Sequence, residues 1–292
     1  MTFADDIEDL REQVSEWRSD GESIALVATM GNLHAGHLSL VAEAKKQAFR
    51  VVVSIFVNPL QFGADEDLAA YPRTLLADLE RLEEARVDLV FMPTNEVIYP
   101  RGAESSTQVQ VPERLTEQLC GVHRPGHFVG VATVVSKLFN LVQPQVALFG
   151  QKDYQQLLVI RRLCDDLNYP IEVVSVPTQR ESDGLAMSSR NGYLSSDERA
   201  RAPLLYQKLT RLAKTLLKCE MDRETALRQT VEALNEAGLR VEYLAVRSAA
   251  DLSEVALSSD PLSWVLLVAV QLERTRLIDN LILAEVDMHQ EH

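Results

Sequence analysis

Short apolar runs alternate with segments of helical periodicity through the first 177 residues of the chain. The run at 51–57 is apolar except for Ser54, as expected of a strand buried on both faces of a parallel sheet. Strands are predicted at 24–28, 51–57, 88–92, 108–111, 146–149 and 171–176, and helices at 7–18, 38–48, 74–86, 129–141 and 154–167. This βαβ rhythm predicts a doubly wound parallel sheet with right-handed crossovers.

The alternation ends at Pro177, and the chain is then polar as far as Arg190. Two long helices are predicted next, one over 197–217 capped by Ser195 or Ser196, and one running from Asp222 to 237. Further strands are predicted at 241–246, 265–270 and 276–283. Helices followed by strands, without alternation, are typical of an α+β domain. The sequence therefore predicts an α/β, Rossmann-like domain over residues 1–177 and a smaller α+β domain over 178–292.

The composition is that of a globular protein, with 292 residues, 46% apolar and 25% charged, and the length suits two domains. The net charge of −14 argues against nucleic acid or an anionic membrane as the main partner. No apolar run approaches the length of a membrane span, and the acidic N-terminus does not resemble a signal peptide. Cys120, Cys164 and Cys219 are widely spaced, which favours reduced cysteines in a cytoplasmic protein over a disulfide frame or a metal cage.

Residues 29–37, Thr-Met-Gly-Asn-Leu-His-Ala-Gly-His, lie where the first predicted strand gives way to a helix. Such a turn exposes backbone N–H groups and the positive end of a helix dipole, which together bind phosphate. His34 and His37 can donate hydrogen bonds to phosphate oxygens. The motif is short, and a surface turn that happens to hold two histidines is the alternative. The flanking strand and helix favour the phosphate site, although the chain has no GxGxxG dinucleotide fingerprint.

Two further segments follow predicted strands, at the edge of the sheet where ligands bind. In FVNPLQFG, Asn58 and Gln61 offer neutral amides that both donate and accept, and an ordinary Asn-Pro turn is the alternative. In FGQKDYQQ, Lys152 offers a point charge for phosphate, with Gln156 one helical turn further on. The alternative there is a surface lysine followed by Asp153 as a helix N-cap.

Two polar segments, at a helix start and at the predicted domain boundary, complete the set. Arg124 in RPGHF would make a cationic helix mouth, and a solvated arginine at a capped helix start is the alternative. In DGLAMSSRN, the hydroxyls of Ser188 and Ser189 and the guanidinium of Arg190 form a compact anion-binding set, and an interdomain linker is the alternative. The joint occurrence of all five motifs favours one anion-binding site over five coincidences.

These motifs resemble those of the pantoate–β-alanine ligases, a family of the HxGH nucleotidyltransferase superfamily. The resemblance extends from Ala25 to Asn280 and rests on TMGNLHAGHLSL, SIFVNPLQFG, YPRT, RPGHFVGVATVVSKLFNLVQP, FGQKDYQQ and DGLAMSSRNGYLS. The MSSR segment stands where other members of the superfamily carry a KMSKS-like loop. Two positions depart from the family pattern: Ala28 replaces a proline, and Gln151 replaces a glutamate beside the nucleotide loop.

The resemblance implies a two-step ligase that condenses (R)-pantoate with β-alanine. The pantoate carboxylate attacks the α-phosphate of ATP, giving pantoyl adenylate and pyrophosphate, and the amine of β-alanine then displaces AMP. ATP is a substrate, Mg²⁺ arrives with its phosphates, and no metal site on the protein is expected. The family usually forms a homodimer. Because the MSSR segment lies at the predicted domain boundary, the smaller domain is a candidate lid that keeps water from the adenylate.

The resemblance also assigns site residues, and the chemistry of their side chains suits the roles. The first nucleophile is already an anion, so the site must neutralise phosphate charge rather than supply a general base. His34, His37 and Lys152 are expected to be catalytic, and Gln61 and Gln156 are expected to bind pantoate and β-alanine. The residues expected to bind ATP are Met30, Gly31, Asn32, Leu33, His34, Ala35, Gly36, His37, Gly150, Gln151, Lys152, Asp153, Gln179, Met187, Ser188, Ser189 and Arg190.

Two other functions stay open on the sequence. A different HxGH nucleotidyltransferase would leave the nucleotide on its product, whereas the ligase releases AMP only when an amine is present. A non-catalytic nucleotide-binding protein would fit if Gln151 marked a degenerate site. The intact histidines, Lys152 and the segment 188–190 argue against the non-catalytic alternative.

Overall fold

The computed structural model describes residues 1–63, 66–256 and 258–288. The chain divides into two compact units, Met1–Pro177 and Thr178–His292. In the first unit, six parallel strands form one sheet in the order β1-β4-β3-β2-β5-β6. The strands are β1 (Thr2–Ala4), β2 (Ile24–Thr29), β3 (Arg50–Ile55), β4 (Leu89–Phe91), β5 (Val146–Gly150) and β6 (Glu172–Val176).

Helices cover both faces of this sheet, which explains the continuous apolar runs of its central strands. Along β2, Leu26 packs into the core on one face, whereas Val27 packs into the core on the other. Because both faces are covered, neither set of alternating side chains meets water. The helices of the first unit are α1 (Ile7–Ser19), α2 (Ala35–Gln47), α3 (Leu75–Glu84), α4 (Asn95–Ile98), α5 (Glu113–Thr116), α6 (Cys120–His123), α7 (His127–Val142) and α8 (Tyr154–Leu167).

The direction of the winding reverses at the centre of the sheet. From β2 the chain proceeds through β3 to β4 on one side, then returns to place β5 on the other side of β2. Strands β2 and β5 pair directly, with Leu26 opposite Ala147. In open parallel sheets, ligands bind outside the carboxyl ends of the strands at such a switch point.

The second unit is a three-stranded antiparallel sheet with helices. Strands β7 (Arg240–Ser248), β8 (Trp264–Leu272) and β9 (Thr275–Ile282) lie in sequence order. Leucines from α10 pack with apolar residues of β8 in one core, for example Leu209 and Leu266. The helices of this unit are α9 (Ser196–Arg201), α10 (Leu204–Leu217), α11 (Arg223–Glu236) and α12 (Leu283–Met288). The predicted fold class, a doubly wound α/β sheet accompanied by a small α+β sheet, is confirmed.

Three predicted elements differ from the structure for identifiable reasons. Residues 108–111 form no strand, and the N–H of Val109 donates instead to the hydroxyl of Thr133 at 2.9 Å. Strand β1 was not predicted, because only one of its three side chains is buried. The predicted helix 197–217 is two helices separated at Pro203, whose ring and missing N–H disfavour a helix interior. Ser195 caps the first of them in a reciprocal capping box with Glu198.

Within the described part of the chain, no helix combines the length and apolar character needed to span a membrane.

A close approach between α7 and the segment after β3 fixes part of the sheet's carboxyl edge. A 3₁₀ helix, Pro59–Gln61, follows β3 and lies against Gly130 of α7. A Cβ placed on Gly130 would lie 2.3 Å from the carbonyl oxygen of Leu60 and 2.6 Å from the backbone nitrogen of Gln61. Only glycine at this position lets the two backbones meet, so α7 sets the position of Gln61.

Gly130→Ala is expected to lower the free energy of unfolding by roughly 1–3 kcal/mol, because the added methyl group overpacks this contact. Urea unfolding followed by circular dichroism measures the change. Gly63→Ala is the control, since the nearest atom to a Cβ at Gly63 lies 3.7 Å away. Equal unfolding free energies for the two variants would contradict the close approach.

Candidate active site

Three of the predicted site segments meet at the carboxyl edge of neighbouring strands. Residues 30–37 follow β2, Gln61 ends the 3₁₀ helix after β3, and residues 150–153 follow or end β5. Because β3, β2 and β5 are adjacent and parallel, their carboxyl ends lie side by side at the switch point. Gln156 lies in the first turns of α8 and is half-buried.

The loop after β2 is held from outside by α3. Gly31 and Asn32 both have left-handed backbone, with φ of 80° and 49°, and this turns consecutive N–H groups to one side. The buried carboxylate of Asp78 accepts the N–H groups of Asn32 and Leu33, each at 2.8 Å. Arg81 donates to the carbonyl oxygen of Leu33. These two N–H groups, which the sequence suggested for phosphate, therefore serve the chain's own carboxylate.

The two histidines of the motif are locked as a reciprocal pair at the start of α2. His34 Nδ1 accepts the N–H of Gly36 at 3.1 Å, and His37 Nδ1 accepts the N–H of His34 at 3.2 Å. Because each Nδ1 acts as an acceptor, the proton of each neutral ring lies on Nε2. The ring centroids are 4.1 Å apart. The motif thus presents two adjacent Nε2–H donors.

Both imidazoles are neutral at physiological pH. Burial, followed by the charge of Lys152, lowers the pKa of His34 to about 4. Burial, followed by the proximity of His34, lowers the pKa of His37 to about 3. The carboxylate of Asp153 acts in the opposite direction on both rings but does not prevail. Neutral rings keep the Nδ1 acceptors that the backbone requires, so the tautomer and the low pKa values agree.

In the turn after β5, Lys152 lies between a buried neutral residue, Gln151, and an exposed acidic residue, Asp153. The 3₁₀ helix Gln151–Asp153 carries it, and its Nζ lies 4.0 Å from the carboxylate of Asp153. Gln151 is 6% exposed. A neutral amide is cheaper to bury than a carboxylate, so glutamine is compatible with this environment.

Gln61 is held by contacts to both its side chain and its backbone. Its side-chain Oε1 accepts from Asn58 at 3.2 Å, and its Nε2 lies 2.9 Å from the sulfur of Met30. Its carbonyl oxygen accepts from His127 Nδ1 at 2.8 Å. Asn58 also donates to the backbone of Gly130 and is therefore a structural bridge. Gln61 joins the loops after β2 and β3 at a fixed position.

The prediction of a cationic helix mouth at Arg124 is wrong. Its guanidinium pairs with the carboxylate of Glu66, with Nε 2.8 Å from Oε1, and also donates to the carbonyl oxygen of Gln61 at 3.2 Å. It contacts His127 Nε2 at 3.0 Å as well. Because a carbonyl oxygen only accepts, His127 carries its proton on Nδ1 and receives Arg124 on Nε2. This ion pair supports the backbone of Gln61 and is not available as a bare positive charge.

The remaining predicted ATP residues lie in the second unit. The carbonyl oxygen of Gln179 accepts the N–H of Met187 at 2.9 Å, and Arg180 pairs with Ala186 across an antiparallel bridge, so the segment forms a hairpin. Ser188 follows this hairpin, and its hydroxyl accepts the N–H of Arg190 at 3.3 Å. A 3₁₀ helix, Ser189–Tyr193, begins there.

A buried ion pair, which the sequence analysis missed, anchors this hairpin. Arg180 donates to both carboxylate oxygens of Asp279 on β9, at 2.7 and 2.9 Å, and its guanidinium lies 3.8 Å from the centre of the Tyr206 ring. Asp78 was missed in the same way. Each aspartate lies on the buried face of its element, Asp78 with Leu82 on α3 and Asp279 with Leu277 on β9, and an acidic residue at this spacing from a leucine was the available signal.

The parallel sheet, with an HxGH turn at its switch point, defines a Rossmann-like protein of the HxGH class. A family model described as pantoate-β-alanine ligase matches residues 2–282. The chain belongs to the pantoate–β-alanine ligase family.

Sequence relatives and solved structures agree with this assignment. A pantothenate synthetase of Chromohalobacter salexigens is 56% identical over 281 residues, covering 96% of this chain and 98% of the relative. The crystal structure of pantothenate synthetase from Thermus thermophilus is 47% identical with a TM-score of 0.89, covering 97% of this chain and 99% of that one. The pantoate-β-alanine ligase of Francisella tularensis, solved with beta-gamma ATP and β-alanine, is 32% identical with a TM-score of 0.80, covering 97% of this chain and 98% of that one.

The buried His127 predicts a loss of stability on mild acidification. Burial, followed by the charge of Arg124, lowers its pKa to about 3, whereas an unfolded histidine titrates near 6.5. Its contribution is therefore fully present above pH 6.5 and is lost as the pH falls towards the folded value, by about 1.4 kcal/mol per pH unit. Urea unfolding between pH 7.5 and 5 measures this loss.

His127→Gln is expected to be less stable than the wild type at pH 7.5 but to lose less stability on going to pH 5. The exposed His123→Gln is the matched control. Parallel stability curves for the wild type and His127→Gln would show that His127 is not the responsible group.

Proposed function

We propose that this protein condenses (R)-pantoate with β-alanine in an ATP-dependent reaction that forms pantothenate, AMP and pyrophosphate. In the first step a pantoate carboxylate oxygen bonds to the α-phosphorus of ATP, and the bond to pyrophosphate breaks. In the second step the amine of β-alanine bonds to the acyl carbon, AMP leaves, and the amine loses a proton. One observation carries the proposal: a locked pair of neutral Nε2–H donors lies at the switch point of a chain that belongs to this family.

The proposed roles follow from the charge of each group. The carboxylate nucleophile needs no general base, and the difficulty lies in the negative charge of the α-phosphate and of departing pyrophosphate. His34 and His37 donate neutral N–H groups whose hydrogen bonds strengthen as charge builds on phosphate oxygens. Lys152 adds a positive point charge beside them.

The proposed ATP site comprises residues 30–37 and 150–153 in the first unit, together with Gln179 and residues 187–190 in the second. Gln61 and Gln156 are proposed to bind pantoate and β-alanine, because amides suit hydroxyl and carboxylate groups alike. The fixed side chain of Gln61 supports this role.

Mg²⁺ is proposed to enter with ATP as part of the substrate. Among the described residues, one group of three or more histidine, cysteine, aspartate or glutamate side chains is close enough to share a metal ion, namely the exposed Asp5, Asp6 and Asp9 at the start of α1. Asp6 already caps that helix. The donor set at the switch point, two imidazoles and a lysine, suits phosphate oxygens rather than a magnesium ion.

Three further properties are part of the proposal. The unit Thr178–His292 is proposed to act as a lid over the adenylate, and slower hydrogen exchange at residues 187–190 with ATP and pantoate would support it. The enzyme is proposed to be a homodimer, which light scattering tests. It is proposed to be cytoplasmic, in keeping with the thiols of Cys120, Cys164 and Cys219.

An AMP-release assay that omits each substrate in turn tests the function. AMP formed only when ATP, pantoate and β-alanine are all present supports the ligase. A stable nucleotidyl product, with no requirement for the amine, would support a nucleotidyltransferase instead. Binding of ATP without any turnover would support a non-catalytic protein.

His37→Ala is expected to lower turnover roughly a hundredfold to a thousandfold, because it removes one fixed donor to developing charge. Steady-state kinetics measures the loss, and thermal unfolding should change far less. In the wild type, turnover should show no titration of His37 between pH 5 and 8, because its pKa is about 3. Turnover near the wild-type level in His37→Ala would remove the histidine from the mechanism.

The two half-reactions are expected to separate. With ATP, Mg²⁺ and pantoate but no β-alanine, labelled pyrophosphate should exchange into ATP, because adenylate formation is reversible. Lys152→Ala should depress this exchange strongly, whereas Lys46→Ala, at an exposed lysine on α2, is the control. Exchange that requires β-alanine would overturn the adenylate mechanism. Unchanged exchange in Lys152→Ala would shift charge neutralisation to Arg190 and the histidines.

A further inference from the structure

The proposed mechanism leaves one buried charged side chain unexplained. Asp78 lies on α3, where it shares the buried face of the helix with Leu82, and only 1% of its surface is exposed. A carboxylate is costly to bury unless hydrogen bonds compensate for its lost hydration. An acidic side chain at a position suited to leucine therefore requires a partner of some kind.

The partner of Asp78 is the backbone of the HxGH loop. Its two oxygens accept the N–H groups of Asn32 and Leu33, each at 2.8 Å, a distance typical of charge-assisted hydrogen bonds. Thr74, one turn earlier on the chain, places its hydroxyl 3.2 Å from both oxygens. Gly31 and Asn32 both have positive φ, and in this turn the consecutive N–H groups of Asn32 and Leu33 donate to the two oxygens of the same carboxylate.

This contact reaches the histidines through one peptide unit. Asp78 holds the N–H of Leu33, and Arg81 of the same helix holds its carbonyl oxygen. The next residue is His34, whose N–H donates to His37 Nδ1. The direction of that N–H determines which nitrogen of His37 is an acceptor. The orientation of the loop backbone therefore determines the tautomer of the ring.

We propose that Asp78 is a positioning residue for adenylate formation: by fixing residues 32–33 it keeps both imidazoles turned with Nε2–H towards the reacting phosphates. This inference rests on the proposed function of the HxGH loop. Asp78 touches no reacting group, and its effect is expected on the rate of the first half-reaction rather than on substrate affinity.

Asp78→Asn is the main test, because it preserves shape while removing the charge and one of the two acceptors. Glu80→Gln is the matched control, since it makes the same charge change at an exposed position of the same helix. Pyrophosphate exchange with ATP and pantoate is measured for both variants. Long-range proton–nitrogen NMR of the imidazole rings reports their tautomers without any need for activity.

For Asp78→Asn we expect the maximal exchange rate to fall about tenfold to a hundredfold, as small misplacements of reacting groups commonly cause. The KM for pantoate should change less than about threefold, because Asn58 and His127 hold Gln61 independently of Asp78. The imidazole spectra should show mixed tautomers. Glu80→Gln should match the wild type in all three measurements.

The possible failures are distinguishable. No exchange in the wild type would contradict the proposed function, whatever the variants do. Normal wild-type exchange, with Asp78→Asn matching Glu80→Gln in rate and tautomer, would overturn the positioning role. A variant that is less stable but keeps wild-type tautomers and exchange rate would assign Asp78 a structural role alone.

A second variant keeps the inference testable if Asp78→Asn does not fold. Thr74→Val removes the hydroxyl that supports the carboxylate but leaves the carboxylate and both backbone bonds in place. It should lower the exchange rate in the same direction by a smaller factor. Exchange and tautomers identical to the wild type in a folded Thr74→Val would overturn the positioning role.

Discussion

Two backbone N–H groups and one buried carboxylate depend on each other in the loop at the carboxyl end of β2. Asp78 cannot be buried at low cost without donors, and the N–H groups of Asn32 and Leu33 cannot turn inward without an acceptor. Their contact fixes the turn from β2 into α2 by means of a helix 45 residues further along the chain. That contact also orients the imidazole pair at the start of α2, because the N–H of the next residue, His34, donates to His37 Nδ1.

The parallel sheet was predictable because strands buried on both faces must be apolar throughout, and the β2 and β3 runs are nearly so. The candidate site residues were chosen by chemical type and by their position after predicted strands, and residues 30–37, Gln61 and 150–153 do lie at the carboxyl ends of neighbouring strands. The contacts that hold them were not predictable, since Arg124 meets Glu66 across 58 residues and Asp78 meets the loop across 45. The hydrophobic periodicity of a single segment cannot indicate a pair of residues that lie so far apart in the sequence. The prediction of a strand at 108–111 was wrong for the same reason, because the N–H of Val109 donates to a threonine on α7 rather than to a neighbouring strand.

The switch point combines neutral hydrogen-bond donors, His34 and His37, with the positively charged Lys152. The histidines offer N–H donors of fixed orientation and no charge, since burial keeps both rings neutral. The carboxylate of Glu66 offsets the positive charge of Arg124, which supports Gln61 from behind. The buried Gln151 is neutral and adds no negative charge to this region. Among the cations, Lys152 lowers the pKa of His34 more than Arg81 does.

The first residues of the chain have a consequence for anyone who produces this protein. Thr2–Ala4 forms the edge strand β1, which pairs in parallel with β4, Thr2 lying opposite Leu89. A purification tag fused directly ahead of Met1 would therefore be attached to an edge strand of the sheet and not to a flexible segment. Trimming the chain to residue 5 would uncover the N–H and C=O groups of β4 and turn a covered strand into a template for edge-to-edge association. The position of a tag and of its protease cleavage site therefore affects whether the edge of this sheet stays covered.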